Sequence, residues 1–159
     1  MTKTETNIAK KILRNHDKYR PELGFPIKVS DGYIVTDGYK LIKTAENISG
    51  VQELIMNSYE FLISNALSEA SKNSGVQIKA PSISTINNYI KNFKMNHPDE
   101  KIVRFLLLDD VPVNAQYLKD MLIVLKKSTL HFVDGPERKY KAIFFESPYG
   151  TGVLMPLRY

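Results

Sequence analysis

The spacing of apolar residues predicts helices in four parts of the chain. Ile8, Ile12 and Leu13 recur at helical spacing over residues 6–16. A weaker pattern covers residues 83–95, and Asn114 is placed to cap a helix that extends to about residue 127. The clearest pattern covers residues 51–72, with Gly75 as its stop. We expect its apolar face to be buried on the sheet or in a self-interface; that face consists of Ile55, Tyr59, Leu62, Ile63, Ala66, Leu67 and Ala70.

Short apolar runs separated by turn-forming residues predict strands elsewhere. Asp31-Gly32 and Asp37-Gly38 divide residues 26–45 into a hairpin or meander. The compact apolar run at residues 102–108 predicts a buried strand that ends at an Asp109-Asp110 turn. Strands and turns follow the last helix, at residues 130–133, 140–145 and 153–157. The whole pattern is typical of one α+β domain with antiparallel hairpins.

Composition narrows the class of protein. The 159 residues, 43% of them hydrophobic, are enough to fill one core. The chain has no cysteine, which excludes disulfides, thiolate nucleophiles and cysteine zinc sites. Its N-terminus is polar and its apolar runs are short, so we expect no signal peptide, no membrane contact and a cytoplasmic location.

Positive charge is concentrated near the N-terminus. The formal net charge is +5, which alone predicts little about partners. Residues 1–20 contain six of the cations but only two acidic residues. This segment is either a nucleic-acid surface or an ordinary solvated face, and the sequence leaves both open.

The sequence lacks the patterns expected of a catalytic or metal site. His16, His97 and His131 are not at metal-ligand spacing. Asp37, Asp109 and Asp110 lie at predicted turns, where aspartate is favoured for binding nearby backbone. Gly150 and Gly152 are followed by neither a Lys-Ser/Thr pair nor a predicted helix, so a hairpin turn explains them better than a phosphate loop. We therefore expect a protein that is not an enzyme and that needs no metal or cofactor.

Four segments carry a resemblance to a known family. They are KYRPELGFPIKVSDG at residues 18–32, IVTDGYKL at 34–41, VPVNAQYLKDML at 111–122 and VLMPLR at 153–158. Together they resemble the bacterial DNA sliding clamp, the β subunit of DNA polymerase III. The resemblance covers residues 6–46 and 101–159.

The resemblance implies a DNA-clamp-like domain built from two units of a helix followed by antiparallel strands. Family chains hold three such domains and close into a ring of six, whereas this chain has material for one. We expect a single domain over residues 1–159, with a first unit at 1–46, a helical insertion at 47–100 and a second unit at 101–159. In the family, the helices face DNA and the strands form an outer sheet.

The resemblance also implies two binding surfaces. Duplex DNA would contact cations on the two helices without reading bases: Lys10, Lys11, Arg14, Lys18, Lys119, Lys126 and Lys127. Short peptides from polymerases and repair proteins would bind a groove with two walls. One wall would consist of Thr36, Gly38, Tyr39, Lys40 and Leu41, and the other of Val153, Met155, Pro156, Leu157 and Arg158.

Two readings of the groove residues stay open. In the family the walls come from neighbouring domains, so a second subunit is one way to complete a groove here. The alternative is that Leu41, Met155 and Leu157 are simply core residues of strands.

The sequence thus predicts a non-catalytic, clamp-like binding protein of DNA replication or repair. Its expected partners are duplex DNA, clamp-binding peptides and other copies of itself, and its reduced size favours a phage or mobile-element origin. One alternative is a regulatory decoy that binds replication proteins without encircling DNA. Another is a small nucleic-acid enzyme, which would need a carboxylate cluster that the sequence does not display.

Overall fold

The structure is a computed structural model that describes residues 2–16, 18–54, 65–73 and 75–158. Its three named helices are α1 (Lys3–Arg14), α2 (Ile83–Asn96) and α3 (Ala115–Val124), and residues 65–71 are also helical. The strands are β1 (Ile27–Val29), β2 (Gly32–Thr36), β3 (Lys40–Thr44), β4 (Val76–Lys79), β5 (Arg104–Leu107), β6 (Val111–Asn114), β7 (Thr129–Phe132), β8 (Ile143–Ser147) and β9 (Gly150–Leu154). Short 3-10 helices cover Pro21–Gly24 and Pro136–Tyr140. The predicted α+β class is therefore correct.

One antiparallel sheet of seven strands organises the domain. Its order is β1-β2-β3-β9-β8-β7-β4, and β5 and β6 form a separate hairpin. The chain twice passes from a helix into three consecutive antiparallel strands, first α1-β1-β2-β3 and then α3-β7-β8-β9. The last strands of the two units pair with each other at the centre of the sheet, where Ile42 lies opposite Gly152.

The two units are arranged reciprocally. Lys11 of α1 forms an ion pair of 3.0 Å with Asp120 of α3, and Lys126, just after α3, forms one of 3.0 Å with Glu5 of α1. The start of one helix therefore lies beside the end of the other, so α1 and α3 run antiparallel. Each unit therefore contacts the other through the same two elements, its helix and its third strand.

Both faces of the sheet are covered. On one face, α1 and α3 bury Ile12 and Leu118 against sheet residues such as Leu130 and Phe145. On the other face, Leu67 and Ala70 from the helical residues 65–71 pack with a second cluster, which includes Leu23, Ile34, Leu41, Phe144 and Val153. Burial of Leu67 and Ala70 agrees with the expectation for the 51–72 helix. Ala66, however, is exposed, and residues 55–64 lie outside the described residues.

The start of the predicted 51–72 helix is wrong. Residues 51–54 are not helical, and Leu54 instead exchanges backbone hydrogen bonds with the edge of β1. The Leu54 N–H donates to Pro26 O at 2.9 Å, and the Lys28 N–H donates to Leu54 O. The backbone groups of β1 thus gain partners outside β2, which an apolar helical periodicity cannot anticipate.

Three further sequence expectations need correction. The strand predicted at residues 102–108 is buried on one face only, because β5 lies in a two-stranded hairpin outside the main sheet. Val103 and Leu107 are in the core, but Ile102 and Leu106 are each 50% exposed. The 47–100 insertion is not wholly helical, since it supplies the edge strand β4. Helix α3 ends at Val124, where the Ser128 hydroxyl donates to Leu125 O, so Lys126 and Lys127 lie in the following turn.

Two other predictions, both about the ends of helices, are confirmed. Asn114 caps α3 by accepting hydrogen bonds from the N–H groups of Gln116 and Tyr117. Helix α2 ends at Asn96, before His97-Pro98, as the proline predicts. Within the described ranges, no helix combines the length and apolar character needed to cross a membrane.

The carboxylate of Glu5 connects the start of α1 to the second unit. It accepts a hydrogen bond from the Thr2 N–H at 2.9 Å and pairs with Lys126. Burial opposes ionisation of this group, but the Thr2 and Lys126 contacts outweigh it and hold the Glu5 pKa below its ordinary value of 4.5. A lowered folded-state pKa means that the ionised group stabilises the fold above pH 4.5, and that this contribution is lost as the pH falls through the folded-state pKa.

We expect Glu5→Gln to lower the free energy of unfolding by about 1 kcal/mol at neutral pH. The difference from the parent should shrink as the pH falls below 4.5, because both proteins then carry a neutral side chain. Denaturant unfolding at several pH values measures this difference. A constant difference across that range would contradict the assigned role of the ionised carboxylate.

Candidate functional site

The two sequence segments predicted to form a groove meet at one pocket, which we call the motif pocket. Its volume is about 220 Å³. Seven of the ten residues selected from the sequence line it: Thr36, Gly38, Tyr39, Lys40, Leu41, Val153 and Met155. Arg20, Leu23 and Ala66 complete the described lining.

Pairing of β3 with β9 brings the two walls together. Leu41 lies directly opposite Val153 in the antiparallel register. Beyond the end of β9, the Met155 N–H donates a hydrogen bond of 2.9 Å to Tyr39 O, which continues the pairing to the loop. Both walls therefore come from one chain, and no second subunit is needed to place them side by side.

The loop between β2 and β3 is held by its own side chains. The Thr36 hydroxyl donates to Lys40 O at 2.8 Å and accepts the Gly38 N–H at 3.1 Å. The Asp37 carboxylate accepts the backbone N–H groups of Tyr39 and Lys40. Gly38 has a φ of 96°, a conformation that glycine adopts without steric cost. The result is a fixed turn that leaves Tyr39 65% exposed at the edge of the pocket.

Lys40 has a structural environment that its sequence does not indicate. The residue is only 3% exposed, and its ammonium group lies 2.6 Å from the buried Asp37 carboxylate. The same nitrogen stands 3.4 Å from the centre of the Tyr117 ring. Burial of Tyr117, together with the nearby charge of Asp37, raises the pKa of its hydroxyl. The charge of Lys40 is therefore compensated inside the protein and is not presented to a ligand.

The chemistry of the motif pocket is largely apolar with a cation at its margin. Leu23, Leu41 and Val153 are buried, and Met155 is half-buried. A Cβ at Gly38 would lie 2.7 Å from a guanidinium nitrogen of Arg20, which places that group beside the loop. Such a pocket suits a short segment with apolar side chains.

Sequence reasoning had not selected Arg20 and Leu23. Both lie in the segment KYRPELGFPIKVSDG that carries part of the family resemblance. Leu23 belongs to the 3-10 helix Pro21–Gly24, and Pro21 marks the start of that turn. The sequence therefore identified this segment as part of the resemblance, but it did not show that the segment lies beside the motif pocket.

The last three predicted groove residues do not line the motif pocket. Pro156 is buried, and the Leu157 N–H donates a 2.8 Å hydrogen bond to Pro112 O in β6. Arg158 is exposed. After Met155 the chain thus runs towards the β5–β6 hairpin, and Leu157 forms a link between that hairpin and the main sheet.

The predicted DNA-binding cations occupy different environments. Lys10 and Arg14 are exposed, lie one turn apart on α1 and so share one face of that helix. Lys11 and Lys126 are in ion pairs with Asp120 and Glu5. Lys18 and Lys127 are exposed outside the helices, and Lys119 of α3 is half-buried. Of the predicted set, Lys10 and Arg14 best match an outward-facing pair.

Several of the acidic and histidine side chains considered as catalytic or metal-binding candidates have local structural contacts. Asp37 binds its own loop and Lys40, and Asp110 pairs with Arg138 at 3.0 Å. His131 Nε2 lies 3.6 Å from the Glu146 carboxylate. Across the ranges that the structure describes, no group of three or more His, Cys, Asp or Glu residues is arranged to hold a metal ion.

With the pocket and the helix surface defined, comparison of the chain with known protein families, curated proteins and solved structures finds no match.

Proposed function

We propose that this protein is a non-catalytic, clamp-like binding protein that holds a short peptide in the motif pocket and contacts duplex DNA through α1. The observation that carries the proposal is the convergence of two distant sequence segments on one pocket. Seven residues selected for their resemblance to the groove of sliding clamps line the same apolar cavity: Thr36, Gly38, Tyr39, Lys40, Leu41, Val153 and Met155. A doubled unit of a helix and three antiparallel strands also fits a clamp-like domain.

The geometry of the motif pocket supports recognition of a peptide rather than of a large surface. The fixed loop and the end of β9 form two sides of an open apolar slot. Tyr39 and Met155 are accessible at its edge, where an apolar peptide side chain can pack against both. We expect affinity in the micromolar range, about −8 kcal/mol, because a short flexible peptide loses conformational entropy when it is ordered.

Tyr39→Ala combined with Met155→Ala should weaken binding of a peptide that carries a clamp-binding motif. Each change removes apolar contact area from one wall, and together we expect a loss of about 2 kcal/mol, roughly thirtyfold in affinity. Fluorescence anisotropy of a labelled peptide measures the effect. The fold should survive, since Tyr39 is exposed and Met155 is half-buried.

Tyr149→Ala is the matched control for this experiment. Tyr149 is also an exposed tyrosine in a hairpin turn, between β8 and β9, but it does not line the motif pocket. The Tyr149→Ala variant should bind the peptide with the same affinity as the parent. Equal peptide affinity in the double variant and the parent, or no binding by the parent at millimolar peptide, would leave residues 36–41 and Met155 with a purely structural role.

The helix surface supports a sequence-independent contact with duplex DNA. Lys3, Lys10 and Arg14 recur at intervals of seven and four residues, so they lie on one stripe of α1, and all three are exposed. The opposite side of the helix carries Ile8 and Ile12 into the core. Cations on such a stripe neutralise phosphates without contacting base edges.

Lys10→Glu combined with Arg14→Glu should abolish duplex binding at moderate salt. Each lost phosphate contact should also reduce the slope of log affinity against log salt by about 0.9. Lys11 is left unchanged because it pairs with Asp120, and its replacement would disturb the contact between α1 and α3. Affinity measured at several salt concentrations gives both quantities.

Lys79→Glu combined with Lys139→Glu is the control, with the same change in net charge. Both lysines are exposed, on β4 and on the Pro136–Tyr140 turn, away from α1. If this control weakens DNA binding as much as the α1 variant does, the contact depends on total charge and not on the α1 stripe.

Peptide affinity, DNA affinity and solution mass together separate the clamp-like protein from its alternative, a regulatory decoy. Peptide binding by a monomer that does not bind duplex DNA would favour a regulatory decoy. Solution mass with and without duplex distinguishes the two, because encirclement of DNA by chains of this size requires an oligomer.

A further inference from the structure

A second pocket lies at the C-terminal end of α1, and we call it the α1 pocket. Its volume is about 310 Å³. Its described lining consists of Lys10, Leu13, Arg14, His16, Gly24 and Val51. Three of these side chains carry or can acquire a positive charge, and none of the six is acidic.

His16 is held in a defined position in the α1 pocket. Its Nδ1 lies 2.6 Å from Leu13 O. A carbonyl oxygen only accepts hydrogen bonds, so Nδ1 must carry a proton and donate it, which leaves Nε2 for another partner. The ring also lies against Gly24, where an added Cβ would be 3.0 Å from His16 Cε1. The orientation of the ring is therefore set before any ligand arrives.

The cations of this pocket differ from the other cations near α1. Lys11 and Lys126 each have a carboxylate partner within 3.0 Å. In contrast, Lys10 and Arg14 lie one turn apart and repel each other, which costs an exposed helix a few tenths of a kcal/mol. The negative end of the helix dipole favours Arg14 in the last turn, but it does not account for a concave site that also includes Lys10 and His16.

We propose that the α1 pocket binds a single phosphate group. A phosphate offers several strong acceptor oxygens, which suits donors that converge from more than one direction. Arg14 supplies a forked guanidinium and Lys10 an ammonium, and His16 donates from Nε2 in its protonated form. Lys10, Arg14 and His16 would thus all contact the same phosphate group.

Two kinds of phosphate group in nucleic acids offer this chemistry. The ligand is either a phosphodiester of the duplex backbone or a terminal phosphate monoester of a nucleic acid. Either source rests on the proposed contact of α1 with DNA, whereas binding of the phosphate group itself does not.

Titration of the intact protein with inorganic phosphate tests the pocket directly. We expect saturable changes in the NMR signals of the His16 ring, with a dissociation constant in the millimolar range. Lys10→Gln combined with Arg14→Gln should weaken binding by about tenfold or more, because both charged donors are lost. Circular dichroism establishes that the variant keeps its helices.

Lys79→Gln combined with Lys139→Gln serves as the control, with the same loss of charge outside the α1 pocket. It should bind phosphate like the parent. The proposal is overturned by an absence of saturation at tens of millimolar phosphate. It is also overturned if the folded Lys10/Arg14 variant binds as well as the parent, or if the control loses as much affinity as that variant.

Two short duplexes, one with 5′-phosphate ends and one with 5′-hydroxyl ends, identify the source. Equal affinity and equal His16 signal changes assign the pocket to the backbone, whereas changes with the phosphorylated duplex alone assign it to a terminal phosphate. Binding of inorganic phosphate with no binding of either duplex would support the α1 pocket and reject the proposed DNA contact.

Discussion

Lys40→Met is expected to lower the free energy of unfolding by about 3–5 kcal/mol, which would make it one of the most damaging single changes in the chain. The substitution removes the ammonium group but leaves the Asp37 carboxylate only 1% exposed. That carboxylate still accepts two backbone N–H groups, so it cannot turn into water without breaking the loop. An uncompensated buried charge is the physical cause of the loss.

A double-mutant cycle with Asp37→Asn isolates the ion pair. Asparagine keeps an oxygen that can accept the Tyr39 and Lys40 N–H groups, but it carries no charge. The double variant, Asp37→Asn with Lys40→Met, should therefore be more stable than the Lys40→Met variant alone. Denaturant unfolding of all four proteins measures the coupling, and additive effects of the two changes would show that the pair has no net interaction.

Phe145→Ala should cost about 3–5 kcal/mol by removing a large side chain from the helix-side core. Phe145 is fully buried and lies opposite Gly152 of β9. The absence of a side chain at Gly152 is matched by close packing from α3 and its C-cap, because a Cβ there would lie 2.7 Å from Leu125 Cδ1 and 2.8 Å from Met121 Cε. Truncation of Phe145 would leave a cavity that these neighbours can fill only in part.

Tyr140→Ala provides the comparison for Phe145→Ala. It also removes an aromatic ring, but Tyr140 is 58% exposed, so the change should stay within about 0.5 kcal/mol. Thermal or denaturant unfolding gives both values. A small effect at Phe145 would mean that contacts between the sheet and α3 contribute little to stability.

The sequence predicted those features of the fold that depend on local pattern. Helical spacing located α1 and α2, Asn114 marked the start of α3, and Asp-Gly turns separated β1, β2 and β3. Each of these signals acts through hydrogen bonds and dihedral preferences within a few residues.

Strand β4 and the β3–β9 pair required tertiary information. The sequence of β4 is only four residues long and half polar, with Gln77 and Lys79 exposed, so its strand character depends on pairing with β7. Pairing of β3 with β9 depends on the whole fold, and nothing in either segment specifies the other strand as its partner. Helix α3 shows the same limit, because polar residues at 126 and 127 continue the pattern although the helix has ended.

In the candidate site too, some features were predicted from the sequence and others required the tertiary structure. The groove residues predicted from the sequence line one pocket as far as Met155, but the sequence could not show that the chain then runs to Pro112. It also could not distinguish exposed from ion-paired lysines, because lysine is so rarely buried that Lys40 would be assigned to the surface. Burial and ion pairing are properties of the assembled domain.

Pairing of β3 with β9, which joins the two halves of the sheet, has a consequence for how the chain folds. Ile42 pairs with Gly152, a partner that the ribosome adds more than a hundred residues later. The three-stranded meanders β1-β2-β3 and β7-β8-β9 can each form early through local contacts. The edge of β3 stays unpaired until the second meander has formed and pairs with it. The step that joins them should limit the folding rate, and any stall in synthesis before β9 exposes an apolar edge to aggregation.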